Sequence, residues 1–258
     1  KKNKCTIEEE EEYQPWIDQE MVIYAGVDYK KILTQAQKEA DIILWDGGNN
    51  DWSFYKPHVS IVVADPHRAG HELTYYPGFV NILMADIIII NKVDSAKKED
   101  VQKVQNNIKK YNPKAKIILA KSDVFVEDSQ TIKNKRVVVV GDGPTLSHGG
   151  MSFGAATLAA QKWGGKIVDA KPYVLGSIKA TYEKYPQLGK ELPAMGYSSK
   201  QLKEVEQIIN KIPCDIVLDG SPAHIKESIH VNKPVLNVTY ELDTNSVNEL
   251  KKLLKKFL

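Results

Sequence analysis

Four consecutive isoleucines, Ile87–Ile90, run straight into Asn91-Lys92-Val93-Asp94. Successive side chains of a strand point to opposite faces, so a strand that is apolar at every position cannot turn one face to water. Such a run needs cover on both faces, and a parallel sheet with helices packed above and below supplies it. The rest of the chain repeats the theme. Short β-branched or apolar runs at 22–24, 42–46, 59–65, 86–90, 116–120, 136–140, 166–168, 215–219 and 234–238 read as strands. Between many of them, 29–40, 97–111, 151–163, 198–211 and 245–257 carry helical spacing. Asp28, Ser198 and Asn245 stand where N-caps belong. The expected fold class is α/β, a mostly parallel sheet with helices on both faces. A polar stretch at 122–135 separates two such blocks and predicts a division into residues 1–135 and 136–258.

Composition narrows the function classes. With 42% hydrophobic residues in 258, the chain can bury a sizeable core. No apolar run approaches the ~20 residues that a membrane-spanning helix needs, so no membrane partner is expected. A net charge of +2 gives no general electrostatic case for nucleic acid. The two cysteines, Cys5 and Cys214, cannot build a disulfide framework, which suits a reduced, cytoplasmic setting. His58, His224 and His230 lack metal-ligand spacing, and no zinc site is expected. Arginine is confined to Arg68 and Arg136, against many lysines, so the place of each arginine carries information.

In open α/β sheets ligands collect at the carboxyl ends of the strands. Four strand ends hold the chemistry. Ile42-Ile43-Leu44-Trp45-Asp46-Gly47-Gly48 looks like a Walker B element, in which the acid reaches Mg²⁺ and the glycines let backbone approach phosphate. The GTPase form is Asp-x-x-Gly, and Asn49 departs from it. An ordinary turn rich in Asp and Gly is the plainer reading. Asn91-Lys92-Val93-Asp94 resembles the guanine-specificity loop of P-loop GTPases. There a carboxylate accepts two hydrogen bonds from the base, the amide holds the loop, and the lysine stem packs on the ring. Its plainer reading is a capped helix start, with Asp94 or Ser95 as the cap. Lys121 and Ser122 stand where such proteins place a second base-binding loop.

Between these two lies Asp65-Pro66-His67-Arg68-Ala69-Gly70-His71-Glu72, which sets one of the two arginines between histidines. Arg68 is suited to a bidentate phosphate contact, and His67 and His71 add donors or a proton relay. The fourth is Gly141-Asp142-Gly143-Pro144-Thr145-Leu146-Ser147-His148-Gly149-Gly150-Met151, whose glycines lead into a helix of small residues. It predicts an anion site, with His148, Gly149 and Gly150 binding substrate. A tight turn feeding a closely packed helix is the alternative. Glu8–Glu12 reads as a solvated helix face. The chain contains no Gly-x-x-x-x-Gly-Lys-Ser/Thr. Gly164-Gly165-Lys166 is followed by Ile167, and Gly189-Lys190 by Glu191. The expectation is a P-loop NTPase-like fold whose Walker A strand and helix precede Lys1.

The chain as a whole resembles the carboxyl-terminal part of the cyclic 2,3-diphosphoglycerate synthetase family, also known as GTPase-like proteins in bacteria. The resemblance rests on 5–8, 22–29, 45–51, 54–57, 63–78, 90–94, 142–151, 176–179 and Leu192-Pro193-Ala194-Met195-Gly196-Tyr197. It implies phosphorylation of 2-phosphoglycerate with ATP, then closure of a cyclic diphosphate with ATP and Mg²⁺. Carried over, Asp46 is the Walker B acid and metal ligand, and Asn91, Lys92 and Asp94 hold the base of ATP or GTP. The chemistry of the residues, not the resemblance, adds Arg68 and His67 to Asp46 as catalytic groups and selects His71, His148, Gly149 and Gly150 for a small anionic substrate. A homodimer is an assembly open to such a protein. Two further readings stay open: a regulatory or metallochaperone-type GTPase, which explains Asn-Lys-x-Asp directly, and an inactive fragment.

Overall fold

The computed structural model describes residues 12–13, 16–17, 19–48, 51–194, 198–222 and 225–257, except the side chain of Glu227. Cys5, most of the acidic run Glu8–Glu12, Asn49, Met195-Gly196-Tyr197 and His224 lie outside them. The strands are β1 (Ile61–Ala64), β2 (Ile87–Ile90), β3 (Lys116–Leu119), β4 (Ser122–Val126), β5 (Arg136–Asp142), β6 (Lys166–Ile167), β7 (Leu192–Ala194), β8 (Ile216–Gly220) and β9 (Val235–Leu242). They form a three-stranded sheet, β1-β2-β3, and a six-stranded sheet in the order β4-β9-β8-β5-β6, with β7 also paired to β5. The ladders β1–β2, β2–β3, β5–β6, β5–β7, β5–β8 and β8–β9 are all parallel. The protein is α/β, with parallel ladders in both sheets.

The chain divides into two compact units, Tyr24–Asp123 with Glu241–Leu258, and Lys1–Ile23 with Val124–Tyr240. The passage falls at Asp123/Val124, earlier than the boundary near 135 read from composition. The polar stretch there is not a bare linker but holds β4 and a 3-10 turn, Ser129–Ile132. The carboxyl-terminal helix Thr244–Leu254 returns to the β1–β3 unit.

In that unit β2 is the centre. All four isoleucines are buried, as a strand covered on both faces requires. Helix Lys98–Tyr111 packs Val104 and Ile108 on one face, beside Ala64, Ile82, Ile88 and Ile90. Leu250, Leu253 and Leu254 cover Ile87, Ile89 and Ile118 on the other. Glu99 and Asp100 open helix Lys98–Tyr111 and Lys109 and Lys110 close it, matching the helix dipole. In the second unit β5 plays the same part, with Val137–Val140 fully buried. Helix Ala155–Lys162 covers one face and helix Ser199–Lys211 the other.

Two expected strands are corrected. Neither 22–24 nor 42–46 is a strand, and Ile42, Ile43 and Leu44 are 57%, 39% and 69% exposed. A strand exists only through its ladder, and among the described residues no neighbour pairs with these runs. Asp28 and Ser198 do cap their helices, but the last helix is capped by Asp243 rather than Asn245.

Candidate functional site: a charged cluster across three strand ends

β1, β2 and β3 end level with one another, because Ala64, Ile90 and Leu119 stand in register. The loops that follow are stitched together. Asn91 N–H donates to Ala64 O at 3.0 Å, and Val93 N–H to Ala120 O at 3.1 Å. The Asn91 side chain accepts from Lys92 N–H at 2.8 Å. This holds Lys92 in the left-handed region, at φ 60°, where a non-glycine residue needs such support. The turned backbone sends the Lys92 ammonium to Asp65 Oδ2 at 3.1 Å. Arg68 reaches the same oxygen at 3.2 Å, and Asp65 Oδ1 caps its own turn by accepting His67 N–H at 3.0 Å.

Asp65 is thus the hub of the cluster. Burial works against its charge, but Lys92, the His67 N–H and Arg68 outweigh it and hold the carboxyl below the usual range. His67 is pushed below the ordinary imidazole value, by burial first, with Asp65 opposing and Lys92 reinforcing. Its Nε2 lies 2.9 Å from Ser95 Oγ, a second tie between the β1 and β2 loops. Gly70, at φ 111°, turns the chain so that its N–H meets Glu72 at 2.7 Å, and Lys103 donates to Ala69 O at 2.9 Å. The loop carrying Arg68 is thereby anchored to helix Lys98–Tyr111. His71 is exposed, and its ring lies tilted at 55° to that of Tyr75, with centroids 5.2 Å apart.

Asp94 separates the two readings of its loop. Helix Lys98–Tyr111 has Lys97 at its N-cap and no side-chain cap, so Asp94 is not a helix cap. Its Oδ1 accepts Ser122 N–H at 3.4 Å, which brings together the Asn-Lys-x-Asp loop and the loop after β3. Asp46 is exposed at the end of a segment without a ladder. Among the described residues no three His, Cys, Asp or Glu side chains gather into a metal cage.

His148, Gly149 and Gly150 lie in the other unit, apart in the chain's division from Asp46, His67, Arg68, His71, Asn91, Lys92 and Asp94. The glycine-rich turn uses its own amides. Gly149 N–H donates to Pro144 O at 2.9 Å and Gly150 N–H to Ser147 O at 3.2 Å. His148 is held between Ser147 Oγ at 3.2 Å and the Tyr185 hydroxyl at 3.0 Å. The N-terminus of helix Ala155–Lys162 is engaged too, because Gly154 N–H donates to Glu191 Oε2 at 2.7 Å. The expected anion cradle is therefore a closed turn beside a carboxylate of the protein itself.

Sequence reasoning passed over Asp65 as a separate group and missed Glu191. The signal for Asp65 was an acid at the end of an apolar run. Glu191, between Lys190 and Leu192, had no local signal. Of the two arginines, Arg136 is structural. It pairs with Asp215 at 2.8 Å and joins the starts of β5 and β8.

Residues 49–119, which hold the whole cluster except Asp46 and Ser122, match the CobW/HypB/UreG nucleotide-binding domain. This segment is nucleotide-binding in type. Over 257 residues, 99% of its length, the chain is also 54% identical to arginine synthetase ArcE of Thermococcus kodakarensis. It spans 57% of that protein's length. The relative is a synthetase, as the resemblance implied, but one named for arginine rather than for cyclic diphosphoglycerate. Among the described residues no helix is long and apolar enough to cross a membrane.

Proposed function

We propose that the chain is part of a nucleotide-dependent synthetase that passes a phosphoryl group to an oxygen of a small substrate on the way to arginine. The observation that carries this reading is the Asp65–Lys92–Arg68 cluster beside the Asn91–Asp94 loop, in a chain 54% identical to an arginine synthetase. Making a guanidinium carbon from a ureido carbon needs a leaving group in place of oxygen. The ureido oxygen attacks the γ-phosphorus, and the nucleoside diphosphate leaves. Ammonia then attacks the carbon, phosphate leaves, and the nitrogen gives up a proton. In-line phosphoryl transfer asks the protein mainly for positioning and charge neutralisation. Asp94 receives the base N–H groups, and Arg68, steered by Asp65, faces phosphoryl oxygens. His67 and His71 stand beside Arg68 as further donors. Asp46 would hold Mg²⁺, which supplies charge neutralisation at the phosphates.

The cationic Arg68 loop also suits an acceptor that is itself phosphorylated, such as 2-phosphoglycerate. The deciding experiment gives the complete protein ATP or GTP with Mg²⁺, and either L-citrulline plus ammonium or 2-phosphoglycerate. Arginine formed with one nucleoside diphosphate per turnover is the expected result. Transfer to 2-phosphoglycerate alone would move the acceptor to the diphosphoglycerate type. Hydrolysis indifferent to both would leave the GTPase-type reading, for which the CobW/HypB/UreG match stands.

A further inference from the structure

Glu191 is nearly fully buried, at 1% exposure, and only one of its oxygens is satisfied. Oε2 accepts Gly154 N–H at 2.7 Å and the Thr157 hydroxyl at 2.7 Å, both at the start of helix Ala155–Lys162. Its own backbone carbonyl receives the Tyr182 hydroxyl at 2.6 Å, so the residue is fixed at both ends. Oε1 is buried with no hydrogen-bond partner. Buried polar atoms are almost always paired, and an orphan in a well-packed site calls for an explanation.

The surroundings are shaped around that oxygen. A Cβ on Gly141, at the end of β5, would come within 2.1 Å of Oε1, and one on Gly154 within 3.0 Å. Glycine at both positions leaves room for the carboxylate at the carboxyl edge of the sheet, where ligands of such sheets sit. A site whose one open valence is a carboxylate oxygen repels phosphate and attracts an N–H donor, best of all a cationic one. The Thr157 hydroxyl and Gly154 N–H work against burial, which lifts the Glu191 carboxyl above its ordinary value. A cation bound at Oε1 would restore the charged form.

We infer that Glu191 Oε1 is the recognition point for a guanidinium group, so that the β5–β8 unit binds the cationic end of arginine. This rests on the arginine reading above and gives that reading a contact to its product, the ureido end of its substrate being neutral. Leu146 stands over Gly141, its Cδ1 lying 3.0 Å from the Cβ position. One guanidinium N–H brings positive charge to that single oxygen, which a neutral amide N–H does not.

The test is binding of L-arginine to the complete protein by calorimetry, with L-citrulline as the neutral analogue. Wild type should hold arginine at least tenfold more tightly than citrulline. Glu191→Gln keeps the shape and can still serve Gly154 and Thr157, but places an amide donor where the free acceptor was. It should fold with an unchanged or higher melting temperature, lose arginine affinity tenfold or more, and keep nucleotide affinity within twofold. Equal affinity of wild type for arginine and citrulline would overturn the site, as would undiminished arginine binding by a folded Glu191→Gln. Should that variant not fold, the wild-type comparison decides alone. Arginine-forming turnover without arginine–citrulline discrimination sinks the Glu191 site and leaves the synthetase standing. Discrimination lost in Glu191→Gln, without turnover, upholds the site and sinks the synthetase.

Discussion

Lys92 Nζ and Asp65 Oδ2 meet at 3.1 Å across the ends of two adjacent parallel strands. The lysine of a base-type loop is thereby tied to the loop that carries Arg68.

Asp65→Asn keeps the shape but removes the charge that Lys92 and Arg68 share. Both cations are about one-third exposed, which limits the loss; we expect about 1–2 kcal/mol of stability at neutral pH. The sign with pH follows from the lowered carboxyl. Its contribution is complete above the unfolded-state value and is lost as pH falls through the lower folded value. Urea unfolding of wild type and variant should therefore differ at pH 7 and converge in strong acid. A gap that stays constant down to the lowest pH would mean that the ion pairs contribute nothing.

Asp94→Ala should lose about 2–4 kcal/mol of nucleotide affinity if the carboxylate makes paired hydrogen bonds to the base. Stability should hardly change, since Asp94 caps no helix and its hydrogen bond to Ser122 is long. Titration of the complete protein with ATP and with GTP measures both the loss and the base preference. Unchanged affinity for both would remove the loop from the nucleotide site.

What the sequence disclosed, and what it hid, follows from how local each signal is. Ile87–Ile90 and Val137–Val140 announced buried parallel strands, because their cover is written into every position. Ile42–Leu44 has the same appearance, yet pairing depends on a partner elsewhere, and it forms no strand. Asn91–Asp94 was legible as a loop at a strand end. Its tie to Asp65 was not, because Lys92 turns through a left-handed backbone that the sequence does not advertise. The glycines at 149 and 150 looked like an anion cradle, but spacing alone does not reveal where an amide N–H points. Glu191 becomes visible only when Gly141, Gly154 and Thr157 are brought round it by the sheet and the helix it carries.

Asp243 supports the β1–β3 unit from the far end of the chain. Its carboxylate accepts the Ser246 hydroxyl at 2.6 Å, Lys121 N–H at 2.9 Å and Asn245 N–H at 3.1 Å, so the last helix is capped onto the loop after β3. The Ser246 hydroxyl first, then the Lys121 N–H, pull its carboxyl down to about 2. Asp243→Ala should cost about 1 kcal/mol, the usual worth of such a cap. In wild type that support is complete above the unfolded-state value and fades as pH falls towards 2. Thermal melts of both proteins at pH 7 and pH 2 check it; equal melting temperatures at pH 7 would show that the cap does not hold the helix.

Arg68 is the remaining test of the acceptor. A nucleotide γ-phosphate and an acceptor oxygen about to be phosphorylated bring negative charge together, and the transition state spreads it over the transferring oxygens. One arginine stands at this strand end, held by Asp65 at 3.2 Å on a loop anchored by Glu72 and Lys103. Arg68→Lys keeps the charge and loses the planar fork that can grip two oxygens at once. If the fork acts in the transition state, kcat/KM for the acceptor should fall about tenfold or more, roughly 1.4 kcal/mol, with nucleotide affinity barely changed. Asp65→Asn should give a smaller loss in the same assay, because it leaves the fork present but unsteered. The measurement is steady-state phosphoryl transfer in the complete protein, with acceptor and nucleotide varied separately. A loss confined to the nucleotide would take Arg68 out of the acceptor's reach and place it on the nucleotide's phosphates, which is where a GTPase-type protein would need it.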